Sequence, residues 1–332
     1  MRLLLAAAAA AQCSAISAAG KLRNVLRAPG AVVCPGVHDA LSTKVFAEAG
    51  AQVPRSVQSM PCEAHRQHAE KMINAATTQV LFLSGFGVSA CRGEPDAGII
   101  TRVEMEETAR QCVRAAGGVP LIVDGDTGFG GASNLRRTVR GFAAAGAAAI
   151  SIEDQAFPKR CTFAAGTGVR VVDRDAAVAR VRAALRARDE ARDAGHDVLV
   201  IARTDCRAAL GVDEAIARCA AFEALGADVV YAENLQGRGE YARLRDEVSC
   251  TLMLAQLQHD NMLSLDDVAS LGFDLSLVGV TALQAYIATL QKAAASLVTG
   301  GTATNLAPFD EVKRVVGFDD LLAFEEEYET KE

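Results

Sequence analysis

Short apolar runs closed by glycine, proline or a charged residue recur along the chain at near-regular intervals. They are AVVCPG (31–36), VLFLSG (80–85), PLIVDGD (120–126), AAAISIED (147–154), DVLVIARTD (197–205), DVVYAEN (228–234), TLMLAQ (251–256) and DLSLVGV (274–280). Each has the length of a strand and is apolar on consecutive positions, as expected where both faces are covered. Between the runs the apolar spacing becomes helical. One helix is predicted from Ser133 to Gly146, with Leu135, Val139 and Phe142 on one face. A second runs from about Arg174 to Gly195 with Val178, Val181 and Leu185 inward, and a third from near Asp213 to Gly226 with Ile216, Ala220 and Leu225. Eight β–α alternations imply parallel strands with right-handed crossovers, and eight such strands close into a (β/α)8 TIM barrel. A doubly wound open sheet is disfavoured, because no G-x-G-x-x-G follows the first run. Beyond the eighth run, residues 308–330 predict an extra C-terminal helical region. Its apolar row Val312, Val316 and Leu321 suits packing on a partner or on its own barrel.

The runs end in polar residues: Ser84, Asp124 and Asp126, Glu153 and Asp154, Arg203 and Asp205, Glu233 and Asn234. Barrel chemistry sits at the carboxyl ends of the strands, so five elements would aim polar groups at one mouth. Folding alone gives no reason for that.

Composition narrows the partners. The formal charge of −7 and the absence of a basic cluster after residue 30 argue against nucleic acid. Nine cysteines, an odd number with no C-x-x-C pair, form neither a zinc motif nor a disulfide framework. The Ala-rich stretch 1–20, with Arg2 and no acidic residue before Asp39, reads as a targeting segment too short to span a bilayer. An organelle is expected, the mitochondrion ahead of cytoplasm or the secretory pathway, and no membrane partner. Residues 21–332 are then one barrel.

Asp124 and Asp126, two apart on a strand, project to one side, and carboxylates that close repel unless a cation lies between them. With Glu153 from the next strand and Asp96 from the loop before it, an oxygen-only set suits Mg2+. The plainer reading is a pair capping the turn TGFGG. Arg203, at the end of an apolar strand, needs an anion, either a core carboxylate such as Glu153 or Glu233 or a substrate carboxylate. Backbone N–H groups at Ser84-Gly85 would serve a second carboxylate. Cys161 follows Pro158-Lys159-Arg160, and neighbouring cations favour its thiolate.

SGFGVSA (84–90), GEPDAG (93–98), VDGDTGFGG (123–131), IEDQ (152–155), PKRC (158–161), ARTD (202–205) and AEN (232–234) occur in the order found in the isocitrate lyase/phosphoenolpyruvate mutase superfamily, which the chain resembles over roughly 21–330. The resemblance implies a barrel whose last helix is exchanged between subunits of a homodimer or homotetramer. It implies Mg2+ at Asp124, Asp126 and Glu153, and a small carboxylate held by Ser84, Gly85, Phe86, Asp96, Arg203 and Gln256. Cys161, Arg203 and Glu233 become catalytic. Cys161 matches the carbon–carbon lyase branch, where the mutase branch has Asn. The implied reaction cleaves a small 2-hydroxy or 2-oxo di- or tricarboxylate, of the methylisocitrate or dimethylmalate kind, through an enolate. A phosphonopyruvate or phosphoenolpyruvate mutase or hydrolase, or an impaired binding homologue, is the alternative.

Three stretches depart from that pattern. Thr162-Phe163 follow PKRC where the lyases have Gly-His, and Gln256 with Leu257-Gln258-His259-Asp260 replaces an expected Asn and Glu-Gly-Gly. Residues 53–79 interrupt a helix-to-strand connection on the face opposite the mouth. Starting at Val and ending at Gln, they fit either a real insertion or a retained in-frame intron.

Overall fold

The computed structural model describes residues 16–51, 80–162, 168–257 and 262–328. Residues 1–15 of the targeting segment and the interrupting stretch 53–79 lie outside the described residues. Eight parallel strands close in sequence order. They are β1 (Val32–Val37), β2 (Leu81–Leu83), β3 (Leu121–Asp124), β4 (Ala149–Glu153), β5 (Leu199–Thr204), β6 (Val229–Ala232), β7 (Leu252–Ala255) and β8 (Leu275–Val278). Each predicted run coincides with one strand, β1 continuing one residue past its run to Val37 and the others lying within theirs. β2 ends at Leu83 because Ser84 caps a short helix, α3 (Gly85–Cys91), accepting from Gly87 N.

The seam between β8 and β1 depends on glycine. A Cβ on Gly36 would lie 1.9 Å from the Gly279 carbonyl oxygen, so any side chain there would force the seam apart.

The remaining helices around the barrel are α1 (Ala18–Arg27), α2 (Ala40–Ala51), α4 (Arg102–Ala115), α5 (Ala132–Ala144), α6 (Arg174–Asp193), α7 (Arg207–Leu210), α8 (Val212–Ala224), α9 (Gly237–Glu247) and α10 (Leu265–Ser270). Their apolar faces and the outward strand residues form one layer of core, with Val123, Phe142, Val181 and Phe222 in it. A second cluster fills the barrel itself, from Phe82, Ile122, Ile201, Tyr231 and Leu275.

The α1 helix plugs the amino-terminal end of that interior. Ala19 and Leu22 are buried in it, Lys21 Nζ donates to Gly118 O at 2.9 Å, and Arg23 pairs with Asp197. Ser17 caps the helix, which therefore begins inside the stretch read as a targeting segment. Lys21 and Arg23, just past that stretch, are held by these contacts to the barrel.

Past β8 the chain continues as α11 (Thr281–Leu297), α12 (Phe309–Val316) and α13 (Phe318–Tyr328), the last two separated by Gly317 at φ 96°. The predicted helical region 308–330 holds two helices, α12 and α13. Apolar residues of all three helices stay exposed, among them Ile287, Leu290, Phe309, Val316, Leu322 and Phe324. Among the described residues, no helix is long and apolar enough to cross a membrane.

Candidate active site

The carboxyl ends of β3 and β4 bring three acids together. One carboxylate oxygen from each of Asp124, Asp126 and Glu153 lies within 4.8 Å of the others, and all three side chains are buried. The pleat does not cause this, as the two-residue spacing had suggested. β3 ends at Asp124, and Asp126 sits in the turn beyond it at φ 47°, a left-handed conformation that Asp tolerates better than most residues. Gly125 N donates to Ser151 O at 2.8 Å and Glu153 N to Asp126 O at 3.0 Å, so the turn is stitched to β4. Burial, the charge of Asp124 and that of Asp96 push the Asp126 carboxyl up to about 6 even against Lys159, and burial with Asp205 pushes Glu153 well up. Glu153 Oε1 accepts no hydrogen bond among the described residues. Three buried carboxylates, one of them with an unpartnered oxygen, fit a hard divalent cation such as Mg2+.

Gly85 lies against this cluster. Its N–H donates to Asp124 Oδ2 at 3.2 Å, and a Cβ there would stand 3.0 Å from both Asp124 and Asp126. Of the two backbone donors expected for a substrate carboxylate, the Gly85 amide faces Asp124 and the Ser84 amide donates to Val37 O at 3.0 Å, while the Ser84 hydroxyl accepts from Gly87 N at 3.3 Å and keeps its own proton to donate.

A protein cation already sits between the acids. Lys159 Nζ lies 2.6 Å from Asp126 Oδ1 and 2.6 Å from Asp96 Oδ1. Burial works against its ammonium, but the surrounding acids, Asp126 first, outweigh that and hold its pKa well above the usual lysine value. Asp96 therefore meets the cluster through Lys159 and stands outside the three-oxygen group.

Arg203 projects from the end of β5 into a second ring of acids. It grips Asp205 with Nε–Oδ1 at 2.6 Å and Nη2–Oδ2 at 3.1 Å, and lies 3.4 Å from Glu233 and 3.7 Å from Glu153. Its guanidinium also stands over the Tyr231 ring, 5.3 Å from the centroid, and the Tyr231 hydroxyl donates to Glu233. Core carboxylates satisfy Arg203, with Asp205 the main one.

Burial raises the Glu233 carboxyl to about 7, Arg203 opposing and Asp205 adding to the shift. A carboxyl so raised binds more protons folded than unfolded between about pH 4.5 and 7. Stability from this group is therefore present below that window and falls as pH rises through it. Urea melts without divalent ions should show Glu233→Gln gaining stability relative to the unsubstituted chain as pH climbs from 4.5 to 7. A pH-independent difference would mean that Glu233 is ionised throughout.

These groups line a cavity at the barrel mouth, with about 600 Å³ of space when its open rim is counted and about 70 Å³ inside it. Ser84, Asp124, Glu153, Arg203 and Glu233 line it from strand ends, Phe86 and Asp96 from α3 and the loop after it, and Lys159, Arg160, Cys161 and Thr162 from the loop after β4. Cys161 is half-buried. Gln256 lines the opposite wall with its amide engaged, Nε2 donating to Ser276 Oγ at 2.9 Å and Oε1 accepting from Leu263 N at 2.7 Å. It thus holds its own loop, a role not expected from its position as a substrate contact.

Residues 22–298 match the family model described as phosphoenolpyruvate phosphomutase. The chain belongs to this family. A 2,3-dimethylmalate lyase of Eubacterium barkeri is 30% identical over 326 residues, covering 95% of this chain and 99% of that protein. A 2-methylisocitrate lyase of Bacillus subtilis (strain 168) is 32% identical over 276 residues, 82% of this chain and 79% of its own. A chloroplastic carboxyvinyl-carboxyphosphonate phosphorylmutase of Arabidopsis thaliana is 29% identical, covering 93% and 84%. Among solved structures, oxaloacetate acetylhydrolase with 3,3-difluorooxalacetate superposes with a TM-score of 0.80 at 28% identity, covering 95% of this chain and 98% of that one. Phosphonopyruvate hydrolase with oxalate and Mg2+ gives 0.76 at 26% identity, covering 95% and 100%.

Several residues that position this family member's mouth carry no sequence signal of their own. Gln155 donates to Asp205 Oδ2 at 2.5 Å and to Arg160 O at 2.9 Å, and accepts from Arg160 N at 2.8 Å, so one amide ties the Cys161 loop to the partner of Arg203. Arg180 of α6 donates to the carbonyls of Glu153 at 2.7 Å and Gln155 at 2.8 Å. Arg218 of α8, 1% exposed, reaches Asp154 at 2.8 Å, and Asp154 accepts from Thr204 Oγ1 and Asp205 N. Only IEDQ, a polar tail on a buried strand, hinted at this network.

Proposed function

We propose that the chain is a Mg2+-dependent carbon–carbon lyase acting on a small 2-hydroxy or 2-oxo di- or tricarboxylate, of the dimethylmalate or methylisocitrate kind. The observation that carries this reading is Cys161 on the wall of the cavity that also holds Arg203, Glu233 and the acidic cluster. A proton donor on carbon, a guanidinium and a cation site in one cavity are the parts a retro-aldol cleavage needs.

Asp124, Asp126 and Glu153 would hold the cation, which when bound would supply positive charge for oxygen that becomes anionic as the bond breaks. Arg203 keeps Nε and Nη2 on Asp205 and would orient a substrate carboxylate with Nη1, which lies 3.7 Å from Glu153. Glu233, its carboxyl near 7, accepts the 2-hydroxyl proton as the carbon–carbon bond breaks and leaves an enolate. The Cys161 thiol then gives its proton to the enolate carbon. Phe82, Tyr231 and Leu277 line the same cavity and exclude water from that carbanion.

Turnover is tested by an NMR time course with Mg2+ on dimethylmalate, methylisocitrate, oxaloacetate and phosphonopyruvate. Cys161→Ser should lower carbon–carbon cleavage by about 10²-fold or more while Mg2+ binding persists. Indifference to that change would overturn the assignment of the cysteine. Thr162 on the cavity wall favours a second reading, a mutase or hydrolase, which phosphonopyruvate turnover alone would support. Folded, Mg2+-binding protein that turns over nothing would support an impaired binding homologue, in keeping with the engaged amide of Gln256.

The exposed apolar rows on α11–α13 support a homodimer or homotetramer in which these helices pack on a second copy. The organellar location rests on composition. The chloroplastic relative supports an organelle in general, not the mitochondrion in particular.

A further inference from the structure

We propose that His38, Asp39 and Cys91 form a second metal site, for a zinc-class divalent cation, separate from the oxygen-only cluster in the mouth. One ligand atom from each of the three lies within 4.8 Å of the others. Four-coordinate metal–ligand bonds of about 2.0–2.3 Å place the ligand atoms about 3.3–3.8 Å apart. From a separation of 4.8 Å, closing the site takes a shift of about 1 Å, within reach of side-chain rotation at the exposed Cys91.

The three residues come from two elements that the fold holds together. His38-Asp39 leave the end of β1, and Cys91 ends α3. Gly87 makes the approach possible, since a Cβ there would stand 2.6 Å from the Cβ of His38. The His38-Asp39 corner is fixed before any ion arrives. Ser42 Oγ accepts from both backbone N–H groups at 3.1 Å, and Asp39 Oδ1 accepts from Ser42 N at 2.7 Å. That leaves Asp39 a second oxygen to offer, oriented by the first.

His38 is buried with its ring against Tyr286 of α11, centroids 5.7 Å apart, and no described residue hydrogen-bonds its ring nitrogens. Burial lowers its pKa, so the imidazole is neutral and able to ligate at pH 7. Burial and Asp39 raise the Cys91 thiol while Arg92 draws it down. Coordination would release the thiol proton to solvent and leave a metal thiolate. One imidazole, one thiolate and one carboxylate select a borderline cation over Mg2+, with a fourth position open to water. Spacing along the chain gave no hint of this, because Cys91 lies 52 positions after Asp39 and the barrel brings them together.

The test is a Co2+ titration of the full chain with Mg2+ present, read by absorption. Stoichiometric Co2+ should give a sulfur-to-metal charge-transfer band with the d–d bands of a low-coordinate site, and Zn2+ should displace it where Mg2+ does not. Cys91→Ser should abolish the band. His38→Asn should weaken Co2+ binding by more than the roughly 10–100-fold that losing an outer-shell partner costs. Cys91 is exposed, so its substitution leaves the core intact. A band that survives Cys91→Ser but is lost in Cys161→Ser would place the ion in the mouth and overturn the proposal. So would the absence of any thiolate band at stoichiometric Co2+.

Discussion

Replacing Arg203 with Met should cost the fold about 3–5 kcal/mol, the range for removing one partner from a buried ionic group. The side chain is of similar length, so packing is largely kept and the loss is electrostatic. Asp205 would lose both of its contacts to the guanidinium, and Glu153 and Glu233 the cation 3.7 and 3.4 Å away. Urea unfolding followed by circular dichroism measures the difference. Lysine at 203 should recover part of it, restoring charge without the fork. A Met variant within about 1 kcal/mol of the parent would mean that the three acids are mostly protonated and that Arg203 is not their counter-ion.

Lys159→Met should have an effect of similar size with the opposite response to metal. Without divalent ions, Asp96 and Asp126 lose an ammonium at 2.6 Å from each, at a cost again of about 3–5 kcal/mol. Added Mg2+ should then stabilise the variant more than the parent, because an ion bound only by the folded chain contributes RT ln(1 + [L]/Kd). Thermal melts at matched ionic strength, with and without Mg2+, give both numbers. If Mg2+ raises the melting temperature of the variant no more than that of the parent, Asp124, Asp126 and Glu153 are not its site.

Strand positions were readable because buried parallel strands carry continuous apolar runs, and all eight appear in order. The turns at their ends were not, because side chains there are arranged by contacts between loops. Asp124 and Asp126 converge through a left-handed turn, although the pattern suggested an extended pair. Lys159 was read as a neighbour activating Cys161. Its chain position cannot reveal that its ammonium is buried between Asp96 and Asp126. Arg218 lies on an amphipathic helix where arginine normally faces solvent, and only the packed barrel shows it reaching Asp154. The residues near the seventh strand were legible as a departure, but the engagement of the Gln256 amide with Leu263 and Ser276 was not.

The Gln155 amide has a bearing on which acids can fit. It holds the backbone of Arg160 on one side and Asp205 on the other, and Asp205 holds Arg203. The thiol-bearing loop and the guanidinium are therefore tied into one jaw, with a span set by a single planar group. A longer or bulkier acid cannot be accommodated by opening that jaw without breaking its tie. Selection among acids of different length falls instead to the facing jaw, where Leu257, Gly279 and Val280 meet the cavity. Changes of substrate within this framework should track the size of the Leu257 and Val280 side chains, with the fixed jaw left as it is.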